Sequence, residues 1–126
     1  MADQKKKQFT KVNELRPLDT GLNLTLKVVN AKMIAPRGRP HGRLAECLVG
    51  DETGMIIFTA RYYQVDLMKG SNTLVLSNAK IDVFKGSMRL VVDRSGHVEV
   101  GEPASFSIQE DNNMSLIEFE QIAVLV

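Results

Sequence analysis

The sequence predicts an all-β fold, a small five-stranded Greek-key barrel with one short helical turn. Three observations carry this. Apolar and polar residues alternate in several short runs, the period of a strand that buries one face. Two of the longer runs change phase partway along, which one extra residue in a β-bulge brings about. Short turns such as Asp51-Glu52-Thr53-Gly54 and Lys85-Gly86-Ser87 separate the runs.

The elements follow in order. Residues 1–20 are polar and include Lys5-Lys6-Lys7, so a flexible N-terminal segment is expected there. The lysines are either a solvated tail or a weak import or phosphate-contact signal. The barrel is expected over residues 21–110. In its first strand Leu22, Leu24, Leu26 and Val28 share one face; the apolar set then moves to Val29, Ala31 and Met33. Such a slip bends a strand, and a small closed barrel needs that bend. Pro36 to Arg43 reads as a loop carrying Arg37, Arg39 and Arg43. Leu44–Gly50 and Met55–Arg61 read as a hairpin around a turn whose Gly54 can take positive φ. Cys47, Val49, Ile56, Phe58 and Ala60 are expected inside; Glu46, Leu48, Ile57, Thr59 and Arg61 are expected outside.

Gln64–Met68 is expected to be a helical turn plugging the barrel end. Thr73–Phe84 is a long strand that slips phase near Ser77-Asn78, with Ala79, Ile81 and Val83 inward and Lys80, Asp82 and Phe84 outward. In the next strand Met88, Leu90 and Val92 face in, and Arg89, Val91 and Asp93 face out. His97–Val100 is a further short strand. Residues 111–126 are expected to pack on the barrel. Ser115 onward reads either as an extended segment, favoured by alternation, or as a capped helix.

Composition narrows the function classes. A chain of 126 residues suits one domain with its own core. The 16 basic and 15 acidic side chains leave a net charge of +1, so any nucleic-acid partner must be argued from where charges sit. No stretch is long and apolar enough to span a membrane, and Met1–Lys7 lacks the apolar run of a secretory signal. The single Cys47 cannot form an internal disulfide, which fits a reducing compartment, nuclear or cytoplasmic. In its alternating strand it is expected to be a small buried residue. No Walker loop, GxSxG or HExxH motif is present, and His41 and His97 stand singly. Asp51-Glu52 adjoin a turn and read as turn formers. The expectation is a binding module without catalytic residues, cofactor or metal.

Phe9-Thr10-Lys11, Leu15-Arg16-Pro17 and Leu22–Val29 together resemble the opening of the small single-stranded DNA-binding proteins of the oligonucleotide/oligosaccharide-binding (OB) fold. Cys47 to Ile56 resembles their second hairpin, a pattern shared with replication protein A. Val83-Phe84-Lys85-Gly86-Ser87-Met88-Arg89-Leu90 resembles their fourth and fifth strands. The likeness covers most of the chain, and the plant branch of the group gives the nearer match. It implies an OB barrel that binds single-stranded DNA, with RNA also admitted because both strands offer bases and phosphates.

The resemblance also implies a site. The family carries stacking aromatics on the outer face of its middle strands. Of four such positions only Phe84 is aromatic here; the others fall on Arg61, Lys80 and Val91. Arg61 can stack its guanidinium plane or meet a phosphate, Lys80 offers charge, and Val91 offers neither. The expected nucleic-acid platform is therefore Phe84, Arg61, Lys80 and Arg89, with the loop bearing Arg37, Arg39 and Arg43 closing over it and Tyr62 as a substitute stacking residue. Phe84 stands either on that platform or beneath a loop or the C-terminal segment. Tyr62 or Tyr63 belongs either to the site or to the core. Leu48, Ile57 and Val91 make the outer face apolar, which fits base contact or, alternatively, a protein partner or homodimer.

Overall fold

A computed structural model describes residues 9–34, 44–69 and 72–117 of the chain. The alternation of leucines builds β1 (Leu22–Ile34), in which Leu22, Leu24, Leu26 and Val28 are buried. Its first half pairs antiparallel with β4 (Thr73–Phe84), and its second half with β2 (Leu44–Asp51). The β1–β2 register shifts between Val28 and Asn30, where the sequence pattern slips. One strand thus serves two neighbours around a corner. Beyond the bulge Ala31 and Met33 are exposed, contrary to expectation. There β1 has left β4, whose pairing stops at Lys27, and runs on along β2 alone as an edge past the core.

β2 and β3 (Gly54–Arg61) pair without interruption from Leu44↔Arg61 to Asp51↔Gly54. Cys47, Val49, Ile56, Phe58 and Ala60 are wholly buried, as the alternation predicts. Gly54 meets a different demand from the one expected. Its φ is not positive; a Cβ there would stand 2.7 Å from the Asn112 carbonyl oxygen. The need is close approach of two chains, since the Asn112 carbonyl accepts the Met55 N–H at 2.7 Å.

A short helix, α1 (Tyr63–Asp66), follows β3, and Val65 and Met68 close one end of the core. Gln64 anchors it: its side-chain amide donates to the Val92 carbonyl at 2.9 Å and accepts the Arg61 N–H at 3.1 Å. In β4 the expected phase slip falls at Asn78, which adopts φ 54°. Val83, expected inside, is 39% exposed because the strand's end overshoots the core.

β5 (Ser87–Val91) pairs antiparallel with the second half of β4 and parallel with β3 through Ile57↔Arg89 and Phe58↔Leu90. That seam closes a five-strand ring in the order β1-β2-β3-β5-β4 and back to β1. A sixth strand, β6 (His97–Val100), lies on β4 along Leu74–Ser77. Leu24, Leu26, Leu74, Leu76, Ile81 and Leu90 fill the ring's interior around Phe58.

The short seam is bridged from outside. A 3-10 turn at Met114–Leu116 places Ser115 so that its hydroxyl accepts the Ile57 N–H (2.9 Å) and donates to the Met88 carbonyl (2.6 Å). Asn113 caps this turn by accepting the Ser115 N–H at 3.0 Å. The C-terminal segment therefore begins as a docked turn; from residue 118 it lies outside the described residues.

The expected flexible segment over residues 1–20 does not extend that far. A 3-10 turn at Val12–Glu14 places Val12 and Leu15 at 0% exposure in the core. The Thr10 N–H donates to the Asn23 carbonyl (2.8 Å), and the Val12 N–H donates to the Asp51 carboxylate (3.0 Å). Two apolar residues three apart give too little periodicity to reveal such a plug. Lys5-Lys6-Lys7 lie outside the described residues.

Candidate nucleic-acid interface

Alternation turns every second residue of β2, β3, β5 and β4 outward, and register sets these residues side by side. Leu44 stands across from Arg61, Glu46 from Thr59, Ile57 from Arg89, and Asp82 from Arg89. All of these except Ile57 border a shallow groove of about 250 Å³. Ile34, Leu44 and Val91 supply its apolar lining, and Glu46, Arg61, Asp82 and Arg89 its charges. Phe84 is the aromatic side chain among its lining residues.

Phe84 is 53% exposed at the end of β4, so no described loop or terminal segment covers it. The following turn has positive φ at Lys85 (52°) and Gly86 (80°), the condition for a tight hairpin with the native strand twist. That turn brings cations to both neighbours of the ring. Lys85 Nζ lies 5.4 Å and the Arg89 guanidinium carbon 5.5 Å from its centroid, within cation–π range.

Three of the four expected platform residues, Phe84, Arg61 and Arg89, thus meet in one groove. Arg61 is exposed and its side chain has no hydrogen-bond or ion-pair partner among the described residues. Arg89 is held: its side chain is 17% exposed, and Nη1 donates to Glu46 Oε2 at 2.6 Å. Its buried Nε has no partner among the described residues. Lys80 stands across from Val91 on the same sheet face, beside the groove rather than lining it. Its ammonium pairs with Asp93 at 3.3 Å. The Asp93 carboxyl is held below the usual carboxylate range, first by the Ser95 hydroxyl and amide and then by Lys80.

Other expected contributors are placed differently. Tyr62 is 66% exposed at φ 55°, but it does not line the groove. Tyr63 is not in the core either; it is half-exposed, and its hydroxyl accepts the Val98 N–H at 3.3 Å. Leu48, Ile57 and Val91 do not form an open greasy patch. Val91 is 7% exposed because it sits at the groove floor, and Leu48 and Ile57 are half-buried. Arg37, Arg39 and Arg43 lie outside the described residues. Sequence reasoning put Glu46, Thr59 and Asp82 outward without including them in the site. Alternation gives the face of each strand, but only the register of four strands shows that they share a groove.

Cys47 is wholly buried, and burial pushes its thiol up to about 11. The reactive thiolate is then scarce at neutral pH. Expected is negligible labelling of the native protein by a thiol-reactive dye at pH 7.5, with one equivalent taken up after denaturation. Rapid native labelling would contradict this burial. The sign for stability follows: the folded thiol loses its proton later than an unfolded one, so stability falls as pH rises from about 9 toward about 11.

Among the described residues no cluster of three or more His, Cys, Asp or Glu side chains is placed to hold a metal ion. No described helix is long and apolar enough to cross a membrane.

A closed ring of this strand order defines an OB barrel. The family model for the OB fold of Ssb-like single-stranded DNA-binding proteins matches residues 15–100, and the chain belongs to this family. It is 48% identical to the uncharacterized Arabidopsis thaliana protein At4g28440, over 96% of this chain and 87% of that one. The solution structure of a hypothetical Arabidopsis thaliana protein superposes with a TM-score of 0.80 at 44% identity, covering all of this chain and 95% of that one. More distant barrels share the fold. A replication protein A heterotrimer bound to single-stranded DNA gives a TM-score of 0.60 at 17% identity, covering 74% of this chain and 24% of that one.

Proposed function

We propose that this protein binds single-stranded nucleic acid, DNA in preference to RNA, along the groove lined by Phe84, Arg61 and Arg89, without catalysing a reaction. The observation that carries this reading is the meeting of Phe84, Arg61 and Arg89 in one groove over the middle strands. Family membership supports it, and so does the physics of strand binding: flat faces stack on bases while cations track phosphates. Lys80 and Lys85 extend the positive edge, and the loop bearing Arg37, Arg39 and Arg43 is proposed to close over the strand.

The electrostatics set the expected strength. Arg89 and Lys80 already have acidic partners on the same face. Arg61 and Lys85 are exposed with no ion pair among the described residues. Few phosphates are therefore neutralised, and stacking is limited to Phe84. Affinity in the micromolar range is expected, weaker than a barrel with several stacking aromatics attains.

Fluorescence anisotropy with labelled DNA and RNA oligomers tests the reading. With about two to four phosphate contacts, affinity falls about 7- to 50-fold between about 50 and about 200 mM salt. Arg61→Ala is expected to reduce the slope of log affinity against log salt by about 0.7, one phosphate contact on a single strand. No binding in the micromolar range, or binding indifferent to salt, would overturn the proposal.

A further inference from the structure

We infer that Asp82 makes the groove selective for guanine over other bases; the inference rests on the groove holding a single strand, as proposed above. Asp82 is an oddity in a groove meant for a polyanion. It stands directly across from Arg89, two residues before Phe84 on the same face of β4, and lines the groove. Arg89 does not pair with it, because its Nη1 is committed to Glu46 on the far side at 2.6 Å. Asp82 is exposed and has no hydrogen bond or ion pair with any described residue. An acceptor-only group, unpartnered among the described residues, thus stands beside the ring on which a base would stack.

A carboxylate there repels phosphate and attracts N–H groups, so what faces it is a base edge. The bases differ sharply in what they offer. Guanine presents N1–H and the 2-amino group side by side, two parallel donors that match the two carboxylate oxygens. Adenine and cytosine each offer one amino group flanked by a ring acceptor. Thymine and uracil offer one N–H between two carbonyls. In a two-point approach each of those brings an acceptor lone pair against the second carboxylate oxygen, so only a single hydrogen bond remains. Guanine's opposite edge, O6 and N7, accepts hydrogen bonds of the kind an arginine gives, and Arg61 is the exposed arginine lining the same groove. A groove of about 250 Å³ has room for a base or two rather than for a longer segment, so selection acts at one position of the strand.

The test uses the full-length protein and thymidine oligomers carrying one central guanine, adenine, inosine or thymine, with too few guanines to form four-stranded structures. Adenine controls for the stronger stacking of purines; inosine keeps N1–H but lacks the 2-amino group. The guanine oligomer is expected to bind about five- to tenfold tighter than the adenine one, with inosine between. Asp82→Asn should reduce this preference below about twofold, because its amide pairs one acceptor with one donor. The same variant should bind the all-thymine oligomer slightly tighter, since a repulsive charge has gone. Because Asp82 is exposed and unpartnered among the described residues, an unchanged melting temperature is expected for this variant. Equal affinity for guanine and adenine, or a preference that survives Asp82→Asn, would overturn the inference while leaving strand binding intact. Absence of binding to any oligomer would instead overturn the reading on which it rests.

Discussion

Replacing Asp51 by alanine is expected to lower the unfolding free energy by about 2–4 kcal/mol, the cost of leaving buried donors without a charged acceptor. Asp51 is 1% exposed. One carboxylate oxygen accepts the Thr53 N–H (2.8 Å) and the Thr53 hydroxyl (2.6 Å), which fixes the β2–β3 turn. The other accepts the Val12 N–H at 3.0 Å, which fastens the N-terminal plug. Alanine fills neither role. The Val12 amide, itself fully buried, loses its partner, and Val12 and Leu15 lose the tether that holds them in the core. For a domain near this size the loss corresponds to a melting temperature lower by roughly 10–20 °C. Asp51→Asn separates the two roles. Its one remaining acceptor can keep the Thr53 bonds, but it turns an N–H toward the Val12 N–H, so a smaller yet clear loss is expected. Thermal unfolding followed by circular dichroism gives both values. Variants as stable as wild type would show that the N-terminal plug does not depend on this carboxylate.

This residue illustrates what could be read in the chain. Asp51 was legible as a turn former, because acid-rich tetrapeptides ending in glycine make turns. Its second bond spans 39 positions and has no local signature. The same divide runs through the fold. The β2–β3 hairpin follows from strict alternation, and the bulges near Val29 and Asn78 follow from phase slips, because both signals lie within a few residues. Strand ends did not follow. Ala31, Met33 and Val83 continue an apolar pattern past the point where the core stops, and only the neighbours decide where that is. The parallel β3–β5 seam and its Ser115 bridge join residues far apart in the chain, so periodicity gives no hint of them. At the groove, the resemblance and the alternation singled out Phe84, Arg61 and Arg89. The acids that engage or accompany them, Glu46 and Asp82, required the register of four strands. That difference changes the chemistry expected, from a cationic face toward a mixed one.

Replacing Phe84 by alanine is expected to weaken binding of a single-stranded oligomer by about ten- to hundredfold, the equivalent of one lost base stack worth roughly 1–3 kcal/mol. The loss should lie toward the upper part of this range because Phe84 is the aromatic residue of the groove, with no second ring among the described residues that line it. Its flanking cations cannot substitute. Arg89 is already committed to Glu46 at 2.6 Å, and Lys85 offers a point charge without a flat face. Phe84→Leu distinguishes stacking from mere apolar contact: it keeps most of the greasy area but not the π-face, and should lose nearly as much affinity as alanine. Phe84→Trp should bind at least as tightly as wild type, since a larger face covers more of the base. Fold stability should change little in all three, because the ring is 53% exposed and caps no part of the core. If anisotropy gives the same affinity for Phe84→Ala as for wild type, bases do not stack in this groove, and the strand must be held elsewhere on the barrel.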